Sequence, residues 1–204
     1  MVVVQDALMV NSWVRQALIS TQEVIGAGGL EQVLQSASLE RYIRHFPPDN
    51  LLSAVQTSEY AHFQEVLEDI YGRKGRALLQ QIGKVSFHYA LGEDPILVGL
   101  ALRLMPPHQR LQRGLTQLLK ISKKNNPKLR AWVQESSDGR LAYVDRTCGV
   151  CYGRKSDAPL CHYATGMVSE AVVWAMGIEY EVCETHCIGR GDEYCRFEVG
   201  RPIG

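Results

Sequence analysis

The first 147 of the 204 residues contain no cysteine, and all six cysteines lie between positions 148 and 195. A net charge is also absent, since 22 basic side chains balance 22 acidic ones, so no global field favours nucleic acid or a membrane as partner. Apolar runs are short. The most apolar stretch, residues 95–107, is interrupted by Arg103 and ended by Pro106, which excludes a membrane-spanning helix there.

The amino terminus carries no basic segment and places Asp6 among its apolar residues, so we expect no signal peptide. We therefore expect a soluble cytoplasmic protein. In that reducing compartment, clustered cysteines indicate metal or redox chemistry before disulfides. A chain of this length buries roughly 70% of its unfolded surface and does not need disulfides to hold a core.

The hydrophobic pattern predicts helices across the first two thirds of the chain. The predicted helices cover residues 9–25, residues 29–44, Ser58 to Gly72, Arg76 to Leu91, an apolar stretch ending at Met105, and a stretch beyond Pro107 with Leu111, Leu115, Leu118 and Ser122 on one face. Glycines at positions 26, 28 and 29 separate the first two.

The pattern changes to β-type after Pro127. Two β-prone runs flank a turn at Ser137–Gly139 and predict a hairpin. A helix should follow, capped by Asp157 and ended by Gly177, and then a second hairpin around residues 189–191. The sequence thus predicts an α+β fold, in which N-terminal helices pack with a small antiparallel sheet built from two C-terminal hairpins separated by a helix.

Basic residues cluster in the segment 103–130, which contains no acidic residue. The eight are Arg103, Arg110, Arg113, Lys120, Lys123, Lys124, Lys128 and Arg130. This pattern is typical of a solvated helix face that complements an acidic surface such as residues 168–198. The alternative is a basic docking face for an anion or for peripheral contact with a membrane surface.

Strand alternation predicts which side chains of the last hairpin converge. Cys195, Phe197 and Val199 form an apolar set that must face the core. If the apolar positions of the preceding strand also face the core, Glu184 lies on the same side as Cys195, beside the loop that holds Cys187.

Cys161 is predicted in the first turn of the helix before that hairpin, where the helix dipole favours a thiolate. The residues Cys161, Glu184, Cys187 and Cys195 could therefore meet at one end of the layer. Three thiolates and a carboxylate in a closed set suit Zn²⁺.

Other assignments remain open at this stage. His162 or His186 could replace Glu184 as a ligand, and Cys183 should point away from the site and face the core or a partner. The pair Cys148-x-x-Cys151 could join Cys161 in a different zinc site, form a dithiol, or be two inert thiols. We favour two thiols that are inert or weakly coordinating.

The stretch from Cys161 to Val199 resembles the V4R (4-vinyl reductase) domain. The shared features are a Cys, a Gly-bearing helix, Glu-x-x-Cys, and a Cys before an aromatic-apolar strand, here Cys161, Gly166, Glu184, Cys187 and Cys195. The domain is similar in fold to the ligand-binding domains of phenol-responsive activators and to Bet3-type subunits of vesicle-tethering complexes.

The resemblance implies a structural Zn²⁺, because in the phenol sensors four ligands occur at intervals of 23, 3 and 8 residues, as Cys161, Glu184, Cys187 and Cys195 do here. It implies a V4R-like ligand-binding domain over residues 56–204 and an N-terminal helical extension over residues 1–55 that mediates a homodimer. Stand-alone V4R proteins are associated with (bacterio)chlorophyll synthesis and with other tetrapyrroles or hydrophobic ligands. The phenol-contacting residues of the sensors have no evident counterpart in this sequence.

The sequence favours a binding protein over an enzyme, because a zinc with four protein ligands has no open position and no hydride source is evident. We expect it to bind a hydrophobic ligand, such as a tetrapyrrole or an aromatic compound. Candidate pocket residues are Phe87, His88, Trp132, Tyr143, Tyr163 and Trp174. The alternatives are a Bet3-type interaction scaffold and a vinyl reductase or its accessory subunit.

Overall fold

The computed structural model describes residues 7–91, 102 and 104–203. The helices are α1 (Asn11–Ser36), α2 (Thr57–Tyr71), α3 (Gly75–Leu91), α4 (Pro107–Asn125) and α5 (His162–Met176). The strands are β1 (Leu8–Val10), β2 (Ser53–Gln56), β3 (Ala131–Glu135), β4 (Leu141–Asp145), β5 (Tyr180–His186) and β6 (Cys195–Pro202). The predicted α+β class is confirmed.

The main sheet has the antiparallel order β3-β4-β6-β5. Each predicted hairpin is present, and the two hairpins join through β4 and β6, which pairs Asp145 with Cys195. A second, two-stranded sheet of β1 and β2 was not predicted. The three residues of β1 are too few to show the alternation of a strand, so the sequence pattern includes two of them in the predicted helix over residues 9–25.

Helix α1 runs through the glycine-rich break predicted at position 26. Gly26 has φ 77° and ψ 165° and kinks the helix, which continues beyond it. The prediction that the second segment reaches residue 44 is wrong, because the helix ends at Ser36. Ser38 then adopts φ 56°, and a short 3₁₀ turn at Glu40–Tyr42 follows.

Helix α5 begins later than predicted. Cys161 is the residue before its first turn, and Asp157 lies in the preceding loop and does not cap the helix. A carboxylate from the sheet supplies the anionic partner of the helix start instead, since the Cys161 amide donates to Glu184. The end of the helix is as predicted, with Gly177 in the left-handed conformation at φ 78°.

Helices α3 and α5 pack backbone against backbone at two glycines. A Cβ atom on Gly83 would lie 2.0 Å from the carbonyl oxygen of Tyr163, and one on Gly166 would lie 2.0 Å from that of Gln80. Real Cβ atoms do not approach an oxygen so closely, so only glycine permits this contact. The pair places the first turns of α5 against α3.

The core is one contiguous apolar cluster between the helices and the inner face of the main sheet. Leu34, Leu67, Phe87 and Phe197 are among its fully buried side chains. Most of the predicted apolar helix ending at Met105 lies outside the described residues, as does Arg103. Within residues 7–91, 102 and 104–203, no helix combines the length and apolar character needed to cross a membrane.

Candidate metal centre and ligand cavity

Five of the six cysteines form a buried cluster where the start of α5 meets β5, β6 and the loop after β4. They are Cys148, Cys151, Cys161, Cys187 and Cys195. None of the five is more than 6% exposed. The five-cysteine cluster therefore concentrates thiols where water does not reach them.

The cluster contains two overlapping sets of four ligand atoms, and the atoms of each set lie within 4.8 Å of one another. One set is the predicted Cys161, Glu184, Cys187 and Cys195. The other consists of Cys148, Cys151, Cys161 and Cys195. Cys161 and Cys195 belong to both.

The sulfur–sulfur distances are those of close contact without a bond. Cys161 Sγ lies 3.8 Å from Cys187 Sγ, 3.7 Å from Cys195 Sγ and 3.5 Å from Cys148 Sγ. Cys151 Sγ lies 3.4 Å from Cys195 Sγ. Sulfurs on a tetrahedral zinc, each about 2.3 Å from the ion, lie about 3.8 Å apart. The spacing of the thiols is thus close to that of a zinc–thiolate site.

One carboxylate oxygen of Glu184 accepts a hydrogen bond and the other is orphaned, with no partner among the described residues. Oε2 accepts a 2.8 Å hydrogen bond from the Cys161 amide, whereas Oε1 is buried with no hydrogen-bond partner among the described residues. Burial raises the pKa of this carboxyl to about 8. A buried oxygen without a partner costs free energy, and a cation beside it would remove that cost.

The surroundings of Cys161 favour a neutral thiol, whereas the sequence predicts a thiolate at this position. Burial raises the pKa of its thiol well above the usual value, in spite of the adjacent helix start. A cation would be needed to hold this sulfur as a thiolate, because desolvation disfavours an isolated charge.

The histidines considered as alternative ligands lie elsewhere. The His162 ring points toward Glu68, with its Nε2 3.8 Å from the carboxylate, and His186 packs on Tyr194. Neither belongs to a group of metal-ligating side chains within the described residues. Cys183 lies outside the cluster, as strand alternation predicts, but it is exposed and so does not face the core; its Sγ lies 3.7 Å from Glu181.

The donor chemistry and the orphaned Glu184 oxygen both fit a metal ion. Thiolate sulfur and carboxylate oxygen are both ligands of Zn²⁺, and four protein ligands leave no position for water or substrate. The cluster of buried cysteines can thus hold a metal ion, and Zn²⁺ is compatible with it.

A cavity of about 80 Å³ lies between α1, α4, α5 and the main sheet. Most of its lining is apolar. The lining residues are Met9, Val10, Trp13, Leu118, Ser122, Asn125, Asn126, Leu129, Tyr143, Asp145, Thr147, Gly149, Ala164, Met167 and Val168.

Polar groups are also present in the wall formed by α4 and β4. Ser122 and Asn125 are buried, and the Ser12 hydroxyl hydrogen-bonds Asn125 Oδ1 at 3.4 Å. Asp145 Oδ1 accepts from the amide and hydroxyl of Thr147 at 2.6 and 2.9 Å, and burial raises the pKa of Asp145 to about 6. An apolar cavity with a few convergent polar groups is the usual form of a small-molecule site.

Of the six predicted pocket residues, Tyr143 lines this cavity. Phe87 is fully buried in the core against Trp174, and Tyr163 is buried against Tyr60. The remaining two lie outside the core, with His88 bonded to Glu170 and Trp132 packed on Tyr194.

Sequence reasoning missed most of the cavity wall. The sequence pattern places Ser122 on the apolar face of α4, and Asn125 lies on the same face. Polar residues within an apolar helix face are a signal that the face borders water or a ligand, and this signal could have located the cavity. Trp13 gave no comparable signal, because its place in the wall depends on how α1 packs on the sheet.

The cavity and the cysteine cluster share one loop. Asp145, Thr147 and Gly149 line the cavity, while Cys148 belongs to the cluster. Any ion held by Cys148 would therefore fix the loop that closes this side of the cavity.

Comparison with known proteins agrees with the sequence pattern. Residues 146–201 match the V4R domain family. The protein MJ1642 of Methanocaldococcus jannaschii is 29% identical over 85 residues, which covers 37% of this chain and 53% of that protein. The chain thus spans about half the length of this curated relative.

Solved structures resemble the whole described fold. An H-NOX protein from K. algicida, in the Fe(II) unliganded state, has a TM-score of 0.61 and 13% identity, with 96% of this chain and 97% of that chain covered. An oxygen-binding H-NOX domain related to soluble guanylate cyclases has a TM-score of 0.57 and 15% identity, with 94% and 93% covered.

The phenol-responsive sensory domain of the activator PoxR, solved with phenol, has a TM-score of 0.50 and 19% identity, with 74% of this chain and 76% of that chain covered. At these identities the likeness shows a shared fold. The family match covers residues 146–201, which contain all six cysteines, and the solved structures share the described α+β fold.

Proposed function

We propose that this chain binds a small, mostly apolar molecule with a polar group in the cavity beneath α1, and that a structural zinc holds the wall of that cavity. The observation that carries the proposal is the cavity itself, an apolar space with Ser122, Asn125 and Asp145 among its lining residues. The function is that of a sensor or carrier domain, with no catalytic step.

The related folds support a ligand of this kind. The PoxR domain was solved with phenol, and an H-NOX domain was solved as an oxygen complex. Both of those domains bind small molecules, and the fold that they share with this chain supports a small-molecule ligand here.

The size of the cavity favours a single-ring compound over a tetrapyrrole. Its volume of about 80 Å³ is roughly half that of an engineered cavity of ~150 Å³ that binds benzene. A single ring would fit if a flexible side chain such as Met9 or Met167 moved outward.

Heme, which H-NOX proteins contain, does not fit the described cavity. The volume is far too small for a tetrapyrrole, and no histidine lines the described part of the wall. The predicted tetrapyrrole would require a much larger opening of the same space.

The proposed zinc would be held by the predicted set, Cys161, Glu184, Cys187 and Cys195. Bound there, it would supply charge neutralisation and a crosslink between the start of α5 and the β5–β6 hairpin. These residues position α5, whose Ala164, Met167 and Val168 form one wall of the cavity.

The predicted homodimer and the predicted basic docking face stay predictions.

The test is ligand binding by a variant whose cavity is filled. Ala164→Leu places additional carbon atoms in the cavity, so the affinity for phenol or p-cresol should fall at least tenfold. Binding is measured through the fluorescence of Trp13 in a chain with Trp132→Phe and Trp174→Phe. Ala27→Leu, on the exposed surface of α1, is the matched control and should bind as the parent does.

Native mass spectrometry of protein purified without added ligand identifies a retained molecule. A single-ring mass supports the proposal, and a tetrapyrrole mass would show that the cavity opens well beyond the described volume. Equal phenol affinity in the Ala164→Leu and Ala27→Leu proteins would contradict the assignment of this cavity.

A further inference from the structure

Cys148 and Cys151 are not explained by one zinc at the predicted set. Both are buried, and their sulfurs lie 3.5 Å from Cys161 Sγ and 3.4 Å from Cys195 Sγ, respectively. A mononuclear site would leave these two thiols in contact with its ligands but without an ion of their own.

The two four-atom sets divide the cluster in a particular way. Cys161 and Cys195 are common to both sets. Glu184 and Cys187 occur only in the predicted set, and Cys148 and Cys151 occur only in the other. Each set has the four ligands that a tetrahedral metal requires. The two shared residues are both cysteines, and a thiolate sulfur can bridge two metal ions.

We propose that the five-cysteine cluster and Glu184 form a binuclear zinc–thiolate centre in which Cys161 and Cys195 bridge the two ions. Cys148 and Cys151 are the terminal ligands of one ion, and Glu184 and Cys187 are the terminal ligands of the other. The inference rests on the zinc proposed above and adds a second metal site made by the Cys148-x-x-Cys151 loop.

The distances are consistent with bridging. The two shared sulfurs lie 3.7 Å apart, close to the ~3.8 Å expected for two thiolates on one tetrahedral zinc. Cys161 Sγ lies 3.5 Å from Cys148 Sγ and 3.8 Å from Cys187 Sγ, and Cys195 Sγ lies 3.4 Å from Cys151 Sγ. The side chains can therefore bind both ions in the positions that they occupy in the structure.

Electrostatics favour two ions over one with the same ligands ionised. Five buried thiolates and a carboxylate around a single divalent cation would leave a large uncompensated charge in a site that excludes water. If all six ligands are ionised and two divalent cations are bound, the net charge of the centre equals that of one divalent cation with four anionic ligands.

A backbone amide also lies beside one of the proposed bridging sulfurs. The Ile188 amide is 3.4 Å from Cys195 Sγ and can donate to it.

Disulfides do not account for the cluster as it stands. A disulfide needs an S–S distance of about 2.05 Å, and all five cysteines are free. Oxidation of either close pair would also remove ligands that both sets share.

The experiment is a count of metal ions per chain. Full-length protein is loaded with Zn²⁺ under reducing conditions and its mass is recorded by native mass spectrometry. We expect two zinc ions per chain, and one for the variant with Cys148→Ser and Cys151→Ser. Cys183→Ser, which changes the exposed cysteine, is the control and should retain two.

A second measurement does not depend on the folding of a variant. Wild-type protein loaded with ¹¹³Cd should give two ¹¹³Cd NMR signals, one for a four-sulfur ion and one for an ion with three sulfurs and an oxygen, with scalar coupling between them through the bridging sulfurs. Two uncoupled signals or a single signal would overturn the bridge.

The outcomes separate this inference from the proposed function. One zinc per wild-type chain overturns the binuclear centre and leaves the predicted site and the ligand cavity intact. No bound zinc overturns both metal assignments, while phenol binding tests the cavity independently. Iron with acid-labile sulfide would show that the same thiols hold an iron–sulfur cluster and would also overturn the inference.

Discussion

The backbone amide of Cys161 donates to Oε2 of Glu184 at 2.8 Å, although 23 residues separate the two in the chain. This bond joins the start of α5 to the middle of β5. It leaves Oε1 of Glu184 buried and directed to no partner among the described side chains. The carboxylate thus has one oxygen bound to the helix start and one that is available to a metal ion.

Replacement of Glu184 should separate these two roles. Glu184→Gln keeps a carbonyl oxygen for the Cys161 amide and removes the anionic ligand, so zinc affinity should fall by more than the roughly 10–100-fold that loss of an outer ligand partner costs. Competition with a chromogenic chelator measures it. Glu181→Gln, on the exposed face of the same strand, is the control, and equal affinities in the two variants would exclude Glu184 as a ligand.

If the proposed zinc is structural, its removal should unfold the carboxyl-terminal third. Structural zinc contributes on the order of 10 kcal/mol to folding in small zinc domains, and here it would join α5, β5 and β6. Treatment with a strong chelator should therefore increase hydrogen exchange across residues 146–201 far more than across α2. A chelated protein with unchanged exchange and unchanged Tm would contradict a structural role, and Cys187→Ala should reproduce the chelator effect.

The glycine contact between α3 and α5 should not tolerate a methyl group. Gly83→Ala should destabilise the protein by about 1–3 kcal/mol or more, because its Cβ would overlap the Tyr163 carbonyl and force the helices apart. Gly28→Ala, on α1 with nothing within 4 Å of the added Cβ, should stabilise by about 0.5–1 kcal/mol. Urea denaturation measures both, and the same sign for the two variants would refute the close approach.

A smaller side chain at position 13 should change which ligands are accepted. Trp13→Ala enlarges the cavity, so the protein should gain affinity for two-ring compounds such as naphthol relative to phenol. The cost in stability should be roughly 2 kcal/mol, below the ~3–5 kcal/mol of a fully buried Trp, because Trp13 is only half-buried.

Trp132→Ala is the matched control for this selectivity. Trp132 packs on Tyr194 outside the cavity, so its removal should leave the ratio of naphthol to phenol affinity unchanged. Isothermal titration of both ligands decides the comparison. A change of ratio in the Trp132 variant alone would move the binding site to the outer face of the main sheet.

Local patterns predicted the elements that depend on local interactions. The hairpin around Gly139, the end of α5 at Gly177 and the inward face of β6 all followed from turn residues and strand alternation. The start of α5 did not follow, because it is set by Glu184 from a distant strand and Asp157 offered a plausible local cap. Boundaries that depend on a remote partner are not encoded in the neighbouring residues.

The sequence by itself determined that the thiols lie in one segment, that Cys195 faces the core and that Cys183 points away from the site. The resemblance to the V4R domain, in which the same intervals occur, also marked Cys161, Glu184, Cys187 and Cys195 as one candidate set. Only the tertiary structure brought Cys148 and Cys151 to the same place, because their loop is positioned by the pairing of β4 with β6. The cavity likewise exists only where α1, α4, α5 and the sheet meet, since its volume depends on the distances between elements that no local pattern specifies.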